Sequence, residues 1–302
     1  MKSHLVRAGV AVLVAVALAG CDDSTSPDGT VQLTVLLTDA PSMYLANAEV
    51  DIGSVELTGG EGGPVVLSED ATDGFVDLLE LQGLATKVLA DLEIPAGTYS
   101  QLRLMVEGAR VELATGYAFT SGGTTADLTV PSGAQTGIKL NLKDADAEEN
   151  QGGVEITGGQ TVLVVDFDVN QSFVIQGNAE TPAGIKGVLF KPTLRVVVAD
   201  IAGSISGTVS TELAGFDLSS VVVKATPVDG TTLEPYQSLT GSATVDAADG
   251  SYTIYYLVPG DYEVSVTVDP GDAGEVFTAD PVSVTVGESA SVTGVNFVIV
   301  QG

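Results

Sequence analysis

The first strand-forming stretch of the chain reads VQLTVLLT at positions 31–38. Its apolar side chains alternate with mostly polar ones, a pattern typical of a β-strand that buries one face. The stretch ends at Asp39-Ala40-Pro41, because a proline has no backbone N–H with which to continue a sheet. Short runs of this kind recur along the chain between Gly-rich turns, and they predict an all-β protein built from antiparallel sandwiches.

Residues 31–200 are predicted to form the larger of two β-sandwich domains, as a sandwich or a barrel-like body. In the second strand, Ala48–Thr58, the apolar phase shifts near Gly53-Ser54, which indicates a β-bulge. The segments Phe75–Leu81 and Leu84–Leu92 have mixed periodicity, so one of them is expected to contain a short helix.

Four motifs occur in a fixed order in this part of the chain. They read LTDAP at 37–41, IPAGTYSQLRL at 94–104, VDFD at 165–168 with Ser172 soon after, and LFKP at 189–192. This order resembles a bacterial family known as domain of unknown function 4382, which occurs in envelope lipoproteins. The resemblance covers essentially residues 31–198 and implies a secreted, β-rich domain. It carries over no catalytic residues, because none is established for the family.

Residues 203–302 are predicted to form a smaller Greek-key β-sandwich of about seven strands. Its markers are an opening Gly-x-Ile-x-Gly-x-Val at 203–209, the turns DGSY at 249–252 and PGDY at 259–262, and VNF at 295–297. These motifs resemble the carboxypeptidase-regulatory-like and Cna-B-like modules, which have a transthyretin-like fold. The resemblance implies a soluble spacer or stalk, of a kind that sometimes binds carbohydrate or protein.

Lys224 is the only lysine and Asn296 the only asparagine of this second domain. Some Cna-B-like modules join a Lys to an Asn through an internal isopeptide bond beside a buried acid, a place that Glu263 could take here. The family's lysine lies in the opening strand, however, which has none in this chain. Lys224 also lies between Val223 and Ala225, so it points away from the core if they point inward. A surface lysine is the preferred interpretation, with the isopeptide bond as the alternative.

The first 20 residues are predicted to be a lipoprotein signal peptide. Lys2 and Arg7 precede an uncharged apolar run that is too short to cross a bilayer but typical of a secretory signal. The stretch Leu18-Ala19-Gly20-Cys21 resembles a bacterial lipobox, which implies cleavage after Gly20 and lipid attachment to Cys21. Cys21 is the only cysteine of the chain, so no disulfide competes for its thiol.

The anchored chain is expected in the cell envelope, at the outer membrane or cell surface rather than at the inner membrane. Residues 21–30 read CDDSTSPDGT, a polar composition with Pro and Gly that is typical of a flexible tether. The membrane is therefore predicted to be a partner through the lipid on Cys21.

Charge and missing residue types narrow the range of functions. The formal net charge is −29, yet 44% of the residues are hydrophobic, so the chain is expected to fold. So negative a protein disfavours nucleic acid and anionic lipid headgroups as partners. The only histidine, His4, leaves with the signal, and Cys21 is blocked by lipid. These losses exclude His- and Cys-dependent nucleophilic systems, so a non-enzymatic monomer is predicted.

Asp39, Asp166 and Asp168 are the candidate calcium ligands. If Val165 and Phe167 face the core, the two-residue period of a strand places Asp166 and Asp168 together on the opposite face. With Asp39 or a loop oxygen they could form part of a Ca²⁺ site, although such a site needs six to eight oxygens. The preferred alternative is a solvated strand edge, where charge prevents pairing with another sheet and no cofactor is bound.

Three functions follow from these observations. The leading hypothesis is a lipid-anchored envelope protein that presents β-sandwich domains for binding or adhesion, with a glycan or protein as its ligand. The rival is a carboxylate enzyme acting on glycans, with Asp166 paired with Asp168 or Asp39, because glycosidase carboxylates lie about 5–9.5 Å apart. The chain has no Trp, and so lacks the aromatic platform of many glycan sites. The third hypothesis is a structural spacer or scaffold.

Overall fold

The structure, a computed structural model, describes residues 29–131, 136–142, 153–228, 240–268 and 277–301, except for residues 41, 43, 61, 180 and 182. The predicted signal peptide and Cys21 lie outside the described residues, as does the tether up to residue 28. The described residues form β-strands joined by turns and short helical segments. This architecture confirms the all-β prediction.

Strands β1 to β14 belong to the first body, which we define as residues 30–201. Their bounds are β1 Thr30–Ala40, β2 Leu45–Thr58, β3 Val65–Ser68, β4 Val76–Asp77, β5 Lys87–Pro95, β6 Gly97–Tyr99, β7 Gln101–Leu113, β8 Thr125–Leu128, β9 Ile138–Asn141, β10 Val154–Ile156, β11 Gln160–Asp168, β12 Phe173–Gly177, β13 Ile185–Phe190 and β14 Leu194–Val198. A single α-helical turn, α1, spans Val169–Ser172. Short 3₁₀ turns span Leu78–Glu80 and Ala199–Ile201.

Strands β15 to β23 belong to the second body, which we define as residues 203–301. Their bounds are β15 Gly203–Thr211, β16 Val221–Pro227, β17 Gly241–Thr244, β18 Ser251–Leu257, β19 Gly260–Val268, β20 Phe277–Thr278, β21 Val282–Val286, β22 Ser291–Val292 and β23 Phe297–Gln301. A 3₁₀ turn spans Leu218–Ser220.

The first body is organised around β1, an interior strand of a four-stranded sheet with the order β14-β11-β1-β5. β1 pairs antiparallel with β5 but parallel with β11, which differs from a purely antiparallel arrangement. A parallel pair is possible here because the connection from β1 to β11 is long enough to return the chain to the same edge. The second sheet is built on the antiparallel pair β2 and β7, and the facing apolar residues of both sheets share one core.

The second body consists of two sheets. One has the order β17-β16-β19-β21, and the other the order β18-β15-β23-β20 with β22 paired to β15. β15 pairs parallel with β22 and β23, while its pairing with β18 is antiparallel. The buried apolar residues of this body, from Ile205 to Ile299, form a cluster separate from that of the first body. The buried residues of the first cluster end at Val196, and those of the second begin at Ile205.

Two local predictions in the first body are confirmed. The register between β2 and β7 shifts on both sides of Ile52, so Gly53 is an extra residue in β2 at the predicted bulge. The predicted short helix is the 3₁₀ turn Leu78–Glu80. Asp77 begins this turn, because its side chain accepts a hydrogen bond from the backbone N–H of Leu79.

Each body contains a tyrosine that closes a proline-containing turn. The hydroxyl of Tyr99 donates to the backbone carbonyl of Pro95 at 2.8 Å, and that of Tyr262 donates to the carbonyl of Val258 at 2.6 Å. Both tyrosine side chains are buried; Tyr99 is the last residue of β6, and Tyr262 is the third residue of β19. Each hydrogen bond spans four residues and fixes the direction in which the chain enters the next strand, as tyrosine corners do in other β-sandwiches.

Tyr99→Phe and Tyr262→Phe are each expected to lower the free energy of unfolding by about 1 kcal/mol, because each leaves a carbonyl without its donor. Urea denaturation followed by circular dichroism measures the change. Tyr255→Phe is the matched control, since its hydroxyl makes no hydrogen bond to the described residues. Equal effects in all three variants would show that the two hydroxyl bonds contribute nothing specific.

Candidate ligand-binding site

The parallel pairing of β1 and β11 gathers polar residues at one end of the four-stranded sheet. Thr38 lies beside Asp166, and Asp39 lies beside Phe167. On the other side of β11, Asp166 is paired across the strands with Arg195 of β14. Three segments that are far apart in sequence therefore meet at the place where the second body adjoins this sheet.

Asp166 and Arg195 form a buried ion pair at this end of the sheet. Asp166 is 7% exposed and Arg195 is 3% exposed. The Nε of Arg195 lies 2.7 Å from Oδ2 of Asp166, and Nη2 contacts the same oxygen. Nη2 also donates to the backbone carbonyl of Tyr255 at 3.2 Å, so Arg195 joins the first body to the second. Oδ1 of Asp166 and Nη1 of Arg195 have no hydrogen-bond partner among the described residues.

Asp168 has a different role, because it begins the helical turn α1. Its Oδ1 accepts a hydrogen bond from the backbone N–H of Gln171 at 3.0 Å, and its Oδ2 accepts one from Nε2 of Gln171 at 2.6 Å. Burial raises the pKa of Asp168; the two hydrogen bonds from Gln171 lower it, Asp166 raises it and Lys224 lowers it. The net direction is upward, so the fold favours the protonated carboxyl.

Asp39 is buried where β1 ends, next to a loop of the same body. Its backbone N–H donates to the carbonyl of Leu81 at 3.1 Å, and it forms an isolated bridge with Gln82. The hydroxyl of the neighbouring Thr38 donates to the same Leu81 carbonyl at 2.8 Å. These contacts fix the loop beside the end of β1.

The predicted solvated strand edge at Asp166 and Asp168 is wrong. β11 lies between β1 and β14, and both aspartates are buried. Their side chains do lie on the face of β11 opposite to Val165 and Phe167, which point to the core. The second body adjoins this opposite face. Among the described residues no three Asp, Glu, His or Cys side chains are grouped as metal ligands. Calcium binding by Asp39, Asp166 and Asp168 stays a prediction.

A cavity of about 210 Å³ lies between the two bodies beside Asp166. Hydroxyl, amide, carboxyl and phenol groups supply most of its walls. The first body contributes Thr38, Asp39, Gln82, Gly83 and Asp166, and the second contributes Ser242, Ala243, Thr244, Thr253, Tyr255 and Tyr256. Asp168 is not part of this wall.

A β-bulge in β18 brings two consecutive tyrosines to the cavity. Gly203 of β15 pairs with Leu257 and Ile205 pairs with Ile254, so Tyr255 and Tyr256 together face one residue of β15. Tyr256 has a φ of 54°, which is unusual for a bulky side chain. Simple alternation after Ile254 predicts that Tyr256 faces the core, but the bulge turns both tyrosines to the cavity wall.

Lys224 and Asn296 have different partners in the structure. The side chain of Lys224 lies on the other face of β16 from the buried Val223 and Ala225, as predicted. It is near enough to Asp168 to lower the pKa of that carboxyl. The Oδ1 of Asn296 accepts hydrogen bonds from the backbone N–H and the hydroxyl of Thr208, at 2.9 and 3.0 Å. These contacts do not join the two side chains, and the isopeptide bond stays an untested alternative.

Arg195 and the pair Tyr255 and Tyr256 were not predicted from the sequence as residues of this site. Arg195 has a visible signal, since it is the one charged residue in the otherwise apolar stretch Leu194–Val198. A charge in a buried strand requires an opposite charge nearby, and Asp166 is such a charge. The bulge in β18 has a weaker signal in the sequence, because two consecutive tyrosines only interrupt the alternation of apolar and polar residues.

The model of one protein family, Domain of unknown function (DUF4382), matches residues 30–186, just over half of the 302-residue chain. The chain therefore belongs to the DUF4382 family. No curated protein matches it in sequence. The resemblance of residues 203–302 to carboxypeptidase-regulatory-like modules stays a prediction. Among the described residues no helix is long and apolar enough to cross a membrane.

Several solved structures are distantly similar to this chain. The TIE protein of Bacillus anthracis is 11% identical, with 90% of this chain and 34% of that protein covered and a TM-score of 0.23. GBS52, the minor pilin of Streptococcus agalactiae, is 12% identical, with coverage of 90% and 97% and a TM-score of 0.26. The shaft pilin spaA from Lactobacillus rhamnosus GG is 11% identical, with coverage of 90% and 97% and a TM-score of 0.22. TM-scores of this size do not establish a shared overall fold.

Arg195→Met is expected to lower the free energy of unfolding by about 3–5 kcal/mol, because it leaves the Asp166 carboxylate buried without a counter-charge. Arg103→Met is the matched control: Arg103 lies 3.6 Å from Glu56, with side-chain exposures of 30% and 27%, and its loss is expected to cost about 0–1 kcal/mol. Urea denaturation measures both. The double variant Asp166→Leu/Arg195→Met should recover part of the loss, and failure to do so would contradict the pairing.

Asp168→Asn tests the buried carboxyl through its pH dependence. Because the pKa of Asp168 is raised in the fold, its contribution to stability is present below the unfolded pKa and is lost as the pH rises through the folded pKa. The asparagine keeps an oxygen for the N–H of Gln171 and carries no charge. We therefore expect the unfolding free energy of the variant, relative to the unsubstituted chain, to increase from about pH 3 to pH 7.

Asp217→Asn is the control for this measurement, because Asp217 caps an exposed 3₁₀ turn. Hydrogen bonds from Ser219 lower the pKa of Asp217, so its contribution is present above the unfolded pKa and is lost as the pH falls. The relative stability of this variant should therefore decrease as the pH rises. The same slope in both variants would contradict the assignment at Asp168.

Proposed function

We propose that this chain is a lipid-anchored protein of the cell envelope that binds a ligand without changing it chemically. The observation that carries the proposal is the cavity between the two bodies, whose walls offer hydroxyl, amide and tyrosine groups. Ligand sites commonly lie between domains and combine aromatic surface with a few polar groups. The proposal includes a monomeric protein at the outer membrane or cell surface, with a glycan or a protein as its ligand.

The arrangement of carboxyl groups supports binding over the rival carboxylate enzyme. Asp39 and Asp166 line the cavity, but Arg195 already contacts Asp166. A glycosidase needs one carboxyl group that stays protonated and faces the substrate. Burial raises the pKa of Asp168, yet both of its oxygens accept hydrogen bonds from Gln171 and it lies off the cavity wall.

The anchor is proposed from the sequence. Lipid on Cys21 would supply the apolar surface for membrane attachment, because one acyl chain binds only marginally whereas two or three hold a protein stably. The ten-residue stretch 21–30 reaches at most about 36 Å, so both bodies would stay close to the bilayer.

Labelling of bacterial cells with an alkynyl fatty acid tests the anchor. We expect the unsubstituted chain to be labelled and to sediment with membranes, because Cys21 receives the lipid. Cys21→Ala should lose the label, while the control Ser26→Ala in the tether should keep it. An unlabelled natural chain, or labelling that persists in Cys21→Ala, would contradict the anchor.

Incubation with envelope glycans distinguishes binding from the other two functions. Retention of an unchanged glycan or envelope protein by the purified chain supports the proposal. If the chain releases new reducing ends from the glycans and Asp39→Asn abolishes this release, the result would support the carboxylate enzyme instead. A chain that retains no envelope component would support a purely structural spacer.

A further inference from the structure

We propose that the cavity between the two bodies binds a single neutral sugar residue of a glycan. This inference rests on the proposed binding function and adds to it the chemistry of the ligand and the residues that contact it. Three features carry it: the tyrosine pair of the β18 bulge, the buried Asp166, and a set of polar side chains that make no hydrogen bond to other described residues.

The bulge supplies an aromatic surface at the expense of regular backbone geometry. Tyr256 has a φ of 54°, a conformation that costs roughly 1–3 kcal/mol for a residue other than glycine. The rings of Tyr255 and Tyr256 are inclined at 49° with centroids 6.3 Å apart, and both line the cavity. Bulges of this kind re-aim side chains next to functional sites. An aromatic ring provides an apolar face on which the C–H side of a pyranose can lie.

Asp166 supplies a hydrogen-bond acceptor for a sugar hydroxyl. The carboxyl group is 7% exposed and lines the cavity, and its Oδ1 has no hydrogen-bond partner among the described residues. A buried acceptor without a donor is costly, so a ligand that donates to it gains free energy on binding. Its other oxygen is held by Arg195, which keeps the carboxylate in one orientation.

Four further side chains of the cavity wall are available to hydroxyl groups. Gln82, Ser242, Thr244 and Thr253 line the cavity, and their side chains make no hydrogen bond to other described residues. Hydroxyl and amide groups both donate and accept, as sugar hydroxyls do. A ring that carries several hydroxyl groups can therefore bond to both bodies at once.

The charge and the size of the cavity select a neutral single residue. An anion would face the carboxyl groups of Asp39 and Asp166, and the guanidinium of Arg195 is already engaged by Asp166. A cation is disfavoured because Arg195 already occupies the cationic position beside Asp166. The cavity of about 210 Å³ has space for one pyranose ring, and the neighbouring residues of a glycan would lie outside it.

Saturation-transfer difference NMR with methyl pyranosides tests this proposal. The full chain with Cys21→Ala is kept in a polyoxyethylene ether detergent, since that detergent contains no sugar. The probes are the methyl glycosides of glucose, galactose, mannose and N-acetylglucosamine, and titration gives each dissociation constant. We expect at least one pyranoside to receive saturation in the millimolar range, through the protons of the ring face that lies on Tyr255.

Variants on the wall identify the site. Thr253→Val removes a hydroxyl with little change of shape and is expected to weaken binding of that pyranoside at least 5-fold. Thr267→Val is the matched control, since Thr267 is an exposed β-strand threonine of the same body and should leave binding unchanged. Ser242→Ala repeats the test independently, and circular dichroism verifies the fold of each variant.

The proposal is overturned if no pyranoside receives saturation, or if Thr253→Val and Ser242→Ala bind as the control does. Displacement of the pyranoside by tetramethylammonium, or binding of that cation alone, would assign the cavity to cations. Fatty-acid labelling tests the anchor, and retention of envelope components tests the binding function. If both are positive while no pyranoside binds, only the sugar proposal is wrong and the proposed function is unaffected.

Discussion

The buried ion pair of Asp166 and Arg195 is the constraint around which the two bodies are arranged. Two charges removed from water are tolerated only when each compensates the other, and their mutual attraction does little more than offset the loss of hydration. Arg195 also donates to the backbone carbonyl of Tyr255, so the position of the second body is tied to the same guanidinium. The pair thus specifies an arrangement more than it adds net stability.

The three aspartates have three separate roles, although one sequence pattern makes them look alike. Asp166 is held by a guanidinium, Asp168 caps a helical turn, and Asp39 lies where β1 meets the loop that contains Gln82. Period-two spacing places Asp166 and Asp168 on one face, but it does not say what covers that face. The position of Asp166 and Asp168 on one face of β11 therefore does not predict that they act together.

Much of the fold could be predicted because strand patterning is local. The alternation at 31–38, the bulge at Gly53 and the short helix after Phe75 depend on neighbours within a few residues. The parallel pairing of β1 with β11 and the burial of Asp166 depend instead on residues from distant parts of the chain. The cavity was beyond sequence reasoning for the same reason, since both bodies line it and a bulge in β18 sets its tyrosines.

The joint between the bodies has a consequence for how this protein can diversify. Arg195 donates its hydrogen bond to the main-chain oxygen of Tyr255, an atom that every amino acid has. The side chain of the same residue lines the cavity. Substitutions at this position can therefore change the cavity wall without removing the hydrogen bond between the two bodies. Relatives built on this plan could keep the same arrangement of the two bodies while the side chains around the cavity differ.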